Sequence, residues 1–171
     1  CWSLVGSEMC IRDRRQIIIG SSGFLGSKLY TYLENKGHKP VSCSRTGSDL
    51  IIDLENNNFD EIENFIKKGD IVYFFAGISS PDYCEKNPEK AKKINLINTS
   101  KLIKKILAKQ AIVIFASTDA VYPDSITKVD ENTPHSPVGN YGLFKSMVEK
   151  KFNNYNNFCL LYTSPSPRDS S

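Results

Sequence analysis

The sequence predicts an α/β domain in which helices cover both faces of a parallel sheet. Short segments that are apolar at nearly every position alternate with segments whose apolar residues recur at helical spacing. Strands that are apolar on both faces are typical of a parallel sheet buried between two helical layers. The 171 residues, of which 40% are hydrophobic, are enough for one such domain.

Apolar segments and the glycines that follow them locate the elements of the first half. Strands are predicted, in chain order, at residues 16–20, 40–44, 50–54 and 70–76. Residues 24–33 have apolar side chains at helical spacing, which predicts a helix. Glycine is common just after the last residue of a helix, so Gly37 is predicted to end it. A shorter helix is predicted over residues 59–66, with Gly69 behind it.

The second half predicts two helices around a fifth strand. Pro88 suits the first turn of a long helix whose apolar residues continue to Leu107. A strand at residues 111–116 and a helix over residues 139–152 follow. Residues 158–162 can pair as one further strand.

Composition divides the chain into a core and two ends. All lysines and asparagines lie within residues 16–158, whereas every arginine except Arg45 lies in residues 1–15 or 159–171. Both ends resemble translated sequencing-adapter sequence. We therefore expect them to be non-native or disordered tails, and the core to be a piece of a longer protein. A basic arm and a Ser/Pro-rich disordered tail are the alternative.

Charge and cysteine usage argue against several classes of function. No apolar run reaches the roughly 18 residues that cross a bilayer, and the net charge of +3 does not indicate a nucleic-acid partner. His38 and His135 are far apart and have no nearby cysteine or carboxylate pattern, so no metal site is expected. The five cysteines contain no CxxC pair. An odd count of this kind indicates reduced thiols and a cytoplasmic location.

A glycine-rich turn, GSSGFLG, lies between the first predicted strand and the first helix. Gly20 permits a tight turn, Gly23 leaves room for a pyrophosphate, and Gly26 lets helix and sheet pack closely. The helix N-terminus offers free N–H groups and a positive dipole to phosphates. The spacing is GxxGxxG rather than GxGxxG, but the strand–turn–helix context predicts a dinucleotide site. The other residues of this turn predicted to bind the cofactor are Ser22, Phe24 and Leu25.

The end of the second strand indicates which dinucleotide binds. Sites that prefer NAD have an acidic residue there, which binds the ribose hydroxyls. No Asp or Glu occurs between Glu34 and Asp49, and Ser44 and Arg45 occupy the position instead. A guanidinium suits a 2′-phosphate, so the sequence favours NADP(H), with NAD(H) as the alternative. A solvated surface arginine is the other interpretation.

Candidate catalytic residues lie at the start of the last helix and after the fifth strand. Tyr141 and Lys145 are four residues apart, which places the phenol and the ammonium on one helical face. A neighbouring positive charge favours the phenolate, so Tyr141 can act as a general acid or base. Ser117 and Thr118 end the fifth strand, at the sheet edge where open α/β sheets bind ligands. Their hydroxyls can bind a substrate oxygen or merely cap the strand end.

Together these segments resemble the extended short-chain dehydrogenase/reductases of the NAD-dependent epimerase/dehydratase family. The resemblance covers essentially all of residues 16–158. The matching segments, in family order, are GSSGFLG (20–26), DL (53–54), FAG (75–77), NPEKAKKIN (87–95), STDAVY (117–122) and ENTP to YGLFK (131–145). The fold implied is a Rossmann-like, doubly wound parallel sheet that stops before a C-terminal substrate domain.

The resemblance implies a catalytic triad. Tyr141 would be the acid/base, and Lys145 would lower its pKa and bind the nicotinamide ribose. Thr118 would be the hydroxyl member, because the family hydroxyl lies three residues before the valine that is Val121 here. Glu131 would order the loop before the last helix.

The resemblance also implies further cofactor contacts. Asp53 and Leu54 would border the adenine. The central part of the cofactor would lie against Phe75, Ala76 and Gly77. Asn95 would have a mainly structural part.

Departures from the family pattern narrow the activity. Related 4,6-dehydratases have Asp-Glu after the threonine, but this chain has Asp119-Ala120, so dehydration is disfavoured. The segments look most like NADPH-dependent dTDP-4-dehydrorhamnose reductases acting on a nucleotide sugar, with 4-epimerases next and a non-catalytic NAD(P)-binding protein as a further alternative. The resemblance implies that family members are longer and that their C-terminal part supplies most of the substrate pocket, so we expect this chain to bind cofactor but to turn over poorly. A homodimer is possible for the full-length protein.

Overall fold

The computed structural model describes residues 14–123 and 133–163, which form a six-stranded parallel sheet flanked by helices. The strands are β1 (Gln16–Ile19), β2 (Val41–Ser44), β3 (Leu50–Ile51), β4 (Ile71–Phe74), β5 (Ile112–Thr118) and β6 (Phe158–Thr163). Their order across the sheet is β3-β2-β1-β4-β5-β6, with parallel pairing throughout. This order confirms the predicted Rossmann-like fold.

Helices connect most consecutive strands, whereas β2 and β3 follow each other without a helix between them. They are α1 (Phe24–Asn35), α2 (Asp60–Phe65), α3 (Pro81–Lys86), α4 (Pro88–Ala91), α5 (Thr99–Ala108) and α6 (Asn140–Phe152). The long helix predicted after Pro88 is continuous, but its middle part (Lys92–Asn98) is π-helical. Helix α3 was not predicted, although Ser80 and Pro81 start it in a standard way: the Ser80 hydroxyl accepts a hydrogen bond from the Tyr83 N–H.

Strand β3 is shorter than predicted, because only Leu50–Ile51 of residues 50–54 pair in the sheet. Asp53 ends the strand by turning the chain. Its carboxylate accepts hydrogen bonds from the Glu55 N–H at 2.8 Å and from the Asn56 side-chain amide at 2.5 Å. Such local bonds offer the backbone an alternative to sheet pairing.

The core lies on both faces of β1. Ile17 and Ile19 are buried in the large apolar cluster, and Ile18, on the opposite face of the same strand, is equally inaccessible. Aromatic side chains extend this cluster across β4, β5 and β6, with ring centroids 5.9 Å apart between Phe74 and Phe115 and between Phe115 and Phe158. Each fully buried side chain of this kind contributes roughly 1.5–3 kcal/mol.

Residues at or next to both ends of the predicted core are attached to the rest of the domain. Residues 158–162 pair as predicted, since β6 runs beside β5 from the Val113–Phe158 pair to the Thr118–Thr163 pair. Before β1, the Arg15 guanidinium binds the Asp70 carboxylate at 2.5 Å and the Phe65 carbonyl at 2.9 Å. The division of the chain into a core and two tails stays a prediction.

The sheet topology places the candidate site. The chain leaves β1 towards one side of the sheet and β4 towards the other, so the carboxyl ends of these two strands flank a crevice. The glycine-rich turn follows β1, residues 75–77 follow β4, and Thr118 ends β5, so all three lie along one edge. Within the described ranges, no helix has the length and apolar character needed to span a membrane.

Candidate active site

The glycine-rich turn is packed too tightly for side chains at two of its glycines. Gly20 has φ +90°, and a Cβ there would lie 2.7 Å from the Ala76 nitrogen at the end of β4. A Cβ on Gly26 would lie 2.2 Å from the Gly20 carbonyl oxygen. The turn therefore closes only with glycine at both positions, which matches the tight turn and close helix packing expected of them.

The same turn leaves its outer surface open. A Cβ on Gly23 would meet only the Gly20 carbonyl, at 3.3 Å, and Phe24 is 79% exposed. Gly23 is the N-cap of α1, which has neither a side-chain cap nor an acidic residue in its first turn. The positive end of the helix dipole is thus not neutralised locally, and it can bind an anion. Ser22 and Leu25 are exposed on this surface as well.

At the end of β2, Ser44 and Arg45 have different environments. The Ser44 side chain is buried and donates to the Thr46 carbonyl at 2.7 Å, so it shapes the local turn. Arg45 is exposed, and within residues 14–123 and 133–163 no carboxylate pairs with it. It lies close enough to Lys90 to repel it electrostatically. A guanidinium without a carboxylate partner is available to a phosphate.

The two residues expected beside the adenine are both held by hydrogen bonds within the chain. The Asp53 carboxylate is occupied by the turn after β3, as described above. The Leu54 side chain is buried, and its carbonyl accepts a hydrogen bond from the Asn98 amide at 2.6 Å. The Asp53 carboxylate is therefore already hydrogen-bonded within the chain, and a ligand here would meet mainly the backbone of this segment.

The segment after β4 is anchored next to the glycine-rich turn. Phe75 donates its N–H to the Ile19 carbonyl at 2.8 Å, and Ala76 lies against Gly20. Beyond Gly77, whose φ is +147°, the side-chain amide of Asn95 both donates to and accepts from the Ile78 backbone at 2.8 Å. Asn95 has the structural part that the resemblance implied.

The Thr118 hydroxyl lies at the carboxyl end of β5 and is almost fully buried. It accepts a hydrogen bond from the Ala120 N–H at 3.2 Å and donates to the Asp119 carboxylate at 3.2 Å. It thereby caps the short 3-10 turn (Asp119–Val121) that follows the strand. The capping role left open by the sequence is present here, at the sheet edge where a ligand is also expected.

Lys145 is buried on α6 and directed at β5. Its ammonium donates to the Ala116 carbonyl at 2.7 Å and lies 4.4 Å from the centre of the Phe115 ring. Burial lowers the pKa of Lys145 to about 8, against the opposing effects of the Glu149 and Cys84 charges. A lysine of this kind changes its charge close to physiological pH.

Tyr141 begins the same helical face and is half-buried. The sequence predicts that the Lys145 charge lowers its pKa, but the structure shows the opposite direction. Burial raises the pKa of Tyr141, and the charges of Cys84 and Asp119 add to this effect. The phenol is protonated at neutral pH, as an ordinary tyrosine is, and the raised pKa makes it a weaker acid.

Two residues that sequence reasoning missed hold α6 in place. A Cβ on Gly142 would lie 2.2 Å from the Ala120 carbonyl oxygen, so α6 touches the turn after β5 through this glycine. Glu85 of α3 accepts hydrogen bonds from the Asn140 backbone at 2.6 Å and side chain at 2.9 Å, and so caps α6. The position of Gly142 next to Tyr141 could have indicated a close contact of α6. The sequence gives no indication that Glu85 binds Asn140, because the two residues are 55 positions apart.

The remaining candidates give no separate site. In the part of the chain that the structure describes, no three His, Cys, Asp or Glu residues are grouped so as to hold a metal ion. The His38 ring contacts Gln16 at 3.2 Å, and the His135 ring contacts Ser146 at 2.9 Å. Glu131 lies outside the described residues.

A protein-family model matches most of the chain and covers these segments together. The model described as "NAD dependent epimerase/dehydratase family" matches residues 16–163. This chain belongs to the NAD-dependent epimerase/dehydratase family. The match includes the glycine-rich turn, the end of β5 and the Tyr141–Lys145 face of α6.

Individual proteins and solved structures are also similar to this chain. The chain is 29% identical to dTDP-4-dehydrorhamnose reductase of Mycolicibacterium smegmatis, over 84% of this chain and 43% of that protein. It is 26% identical to methionine adenosyltransferase 2 subunit beta of Rattus norvegicus, over 88% of this chain and 46% of that protein. The crystal structure of a hypothetical dTDP-4-dehydrorhamnose reductase from Sulfolobus tokodaii superposes with a TM-score of 0.74, at 26% identity, over 88% of this chain and 55% of that one.

The chain therefore spans about half the length of the relatives it matches. The matched half contains the sheet, the glycine-rich turn and the candidate triad.

Proposed function

We propose that the protein to which this chain belongs is an NADP(H)-dependent reductase of a nucleotide sugar, similar to dTDP-4-dehydrorhamnose reductases, acting in the cytoplasm. The observation that supports the proposal is that Thr118 ends β5 and that Lys145 of α6 bonds to the Ala116 carbonyl of the same strand, at the carboxyl ends of the strands where the glycine-rich turn also lies. The full-length protein and its nucleotide-sugar substrate would complete the site.

The residues present fit a dinucleotide. The uncapped N-terminus of α1 and the open surface at Gly23 suit a pyrophosphate. Arg45 suits a 2′-phosphate. Lys145, once its ammonium turns from the Ala116 carbonyl, can donate to the ribose hydroxyls. When bound, the cofactor supplies the hydride chemistry.

Tyr141 is the proposed proton donor. The phenol is protonated at neutral pH, as an ordinary tyrosine is, so it can give a proton to the oxygen of a sugar carbonyl as that group is reduced. The Thr118 hydroxyl now donates to Asp119, and reorienting that one hydrogen would direct it at the same oxygen. Protein groups thus position the carbonyl and provide the proton.

Two other functions stay open. The family name includes epimerases, and an epimerase would use the same residues without net consumption of cofactor. The similarity to methionine adenosyltransferase 2 subunit beta favours a second candidate, a cofactor-binding subunit. Such a protein has no need of a phenol four residues before a buried lysine, which is why the reductase is preferred.

One assay separates the three functions. The full-length protein is mixed with NADPH and dTDP-linked or UDP-linked 4-dehydro sugars, and both nicotinamide absorbance and sugar products are followed. A reductase oxidises one NADPH for each sugar reduced, and the Tyr141→Phe variant loses this turnover. An epimerase converts the corresponding hydroxy sugars with no net change in absorbance. Binding of NADPH without either reaction supports the subunit function and contradicts the proposal.

A further inference from the structure

A buried carboxylate without a role in the proposed mechanism lies one helical turn beyond Lys145. Glu149 is four residues further along α6 and is only 2% exposed. Side chains at this spacing leave the helix on the same face. Burying an ionised carboxylate is unfavourable unless other groups bind it, so the contacts of Glu149 indicate its role.

Three elements hold the Glu149 carboxylate. The Ser117 hydroxyl of β5 donates to one oxygen. The Tyr162 hydroxyl of β6 donates to the other oxygen at 2.8 Å, and the His135 ring nitrogen Nε2 lies 3.7 Å from it. The carboxylate is thus fixed in place from the side of the sheet and from the segment before α6.

Lys145 and Glu149 are attached to consecutive residues of the same strand. The Lys145 ammonium donates to the carbonyl of Ala116, and Glu149 accepts from the side chain of Ser117. Burial works against the ammonium, and the Glu149 charge is the largest of the effects that raise the pKa of Lys145. The two contacts therefore hold both ends of one electrostatic interaction at a fixed spacing.

Few other ionisable groups face this pair in the described ranges. The Cys84 thiol of α3 interacts with Lys145, and its own pKa is raised by burial. Tyr162 and His135 face Glu149, and burial and hydrogen bonding raise the pKa of Tyr162. Tyr141 begins the helical face. Because a thiol and two phenols are neutral near pH 7, Glu149 is the group that supplies negative charge there.

We propose that Glu149 is a positioning residue that keeps Lys145 in its charged form, fixed on β5, ready for the cofactor ribose. The role of Lys145 towards the ribose rests on the proposed function. The effect of Glu149 on Lys145 does not, because it is a property of the chain without cofactor.

The test measures Lys145 directly. Lysine labelled with ¹³C at Cε is incorporated, and the Lys145 signal is identified by its loss in Lys145→Arg and titrated with pH. In Glu149→Gln the titration of Lys145 should move to lower pH by roughly one unit or more, because an opposite charge has been removed. Glu149→Asp keeps the charge and should retain most of the wild-type value. Glu63→Gln, which removes the partner of exposed Lys105, is the matched control and should leave Lys145 unchanged.

The possible results separate a charge effect from mere packing. Equal shifts in Glu149→Gln and Glu149→Asp, or no shift in either, overturn the proposal. If Glu149→Gln does not fold, the double variant Lys145→Met/Glu149→Gln decides, because it also removes the ammonium that lacks a counter-charge. A folded double variant supports the proposal, and an unfolded one overturns it.

The cofactor readout keeps the two proposals distinguishable. If wild type binds NADPH, the loss of binding at alkaline pH should begin at lower pH in Glu149→Gln, by the same interval as the Lys145 titration. If wild type does not bind NADPH, the proposed function fails, while the titration still answers whether Glu149 controls Lys145.

Discussion

Gly142 in the first turn of α6 touches the carbonyl oxygen of Ala120, so closely that a Cβ on the glycine would lie 2.2 Å from that oxygen. Ala120 belongs to the turn that Thr118 caps, and Gly142 follows Tyr141. This contact fixes the distance between the strand that carries the hydroxyl and the helix that carries the phenol and the ammonium.

Gly142→Ala should push α6 away from the end of β5. An added methyl group at a backbone contact of this kind costs about 1–3 kcal/mol of folding free energy. We expect a lower midpoint of urea unfolding and weaker NADPH binding. Gly37→Ala is the control variant. It should destabilise the chain through backbone strain, because Gly37 has φ +81°, but without a steric clash, because the space around its Cβ position is open. Unchanged cofactor affinity in a destabilised Gly142→Ala would contradict the positioning role of the contact.

Removing the Glu85 cap should loosen the start of α6. Glu85→Gln loses the charge that favours a helix N-terminus, and Glu85→Ala loses both hydrogen bonds to Asn140. Because a cap contributes typically about 1 kcal/mol, we expect a stability loss of that order in Glu85→Ala and a smaller one in Glu85→Gln. Amide hydrogen exchange at residues 140–144 should rise with it. Faster exchange spread evenly over the whole chain would argue against a local cap.

Lys145 should make folding stability depend on pH in the alkaline range. Its pKa is lowered to about 8 in the folded chain, so between that pH and the ordinary lysine pKa near 10.5 the unfolded state binds more protons. Stability from this group therefore rises with pH through that window and is lowest below it. The free energy of unfolding of Lys145→Met, relative to that of wild type, should be highest below pH 8. This difference in unfolding free energy should shrink as the pH rises.

The comparison with Lys145→Met is needed because other groups act in the opposite direction. Burial raises the pKa of Cys43 to about 12, so this thiol makes stability fall as pH rises above the range where an exposed thiol ionises. The Cys43 effect is common to wild type and variant and cancels in the difference. A difference in unfolding free energy that stays constant from pH 7 to pH 10 would contradict a lowered Lys145 pKa.

Sequence reasoning was most successful where local signals and burial agree. Apolar segments such as residues 16–20 and 70–76 predicted β1 and β4, and Gly20 and Gly26 predicted a turn that the structure shows to be sterically closed to side chains. β3 was overestimated because Asp53 bonds to the backbone after it, a competition that apolar patterning does not reveal.

Contacts between distant segments could not be read from the sequence. The predicted direction of the Tyr141 pKa shift was wrong because burial and the Cys84 and Asp119 charges raise this pKa, and these effects depend on how α3 and the turn after β5 pack. Glu85 and Glu149 were missed for the same reason. Their partners lie 55 and 32 positions away, on other elements.

A fluorescence titration of the 171-residue chain with NADPH and NADH tests most directly whether the glycine-rich turn and Arg45 form an NADP(H) site. Arg45→Ala is the test variant, and Lys68→Ala, an exposed cation before β4 at the other edge of the sheet, is the control. We predict that wild type prefers NADPH and that Arg45→Ala weakens NADPH binding roughly tenfold or more, with NADH binding and the control unchanged. Equal affinity for both cofactors in wild type and in Arg45→Ala would contradict the 2′-phosphate role, and a folded chain that binds neither would contradict the dinucleotide site itself.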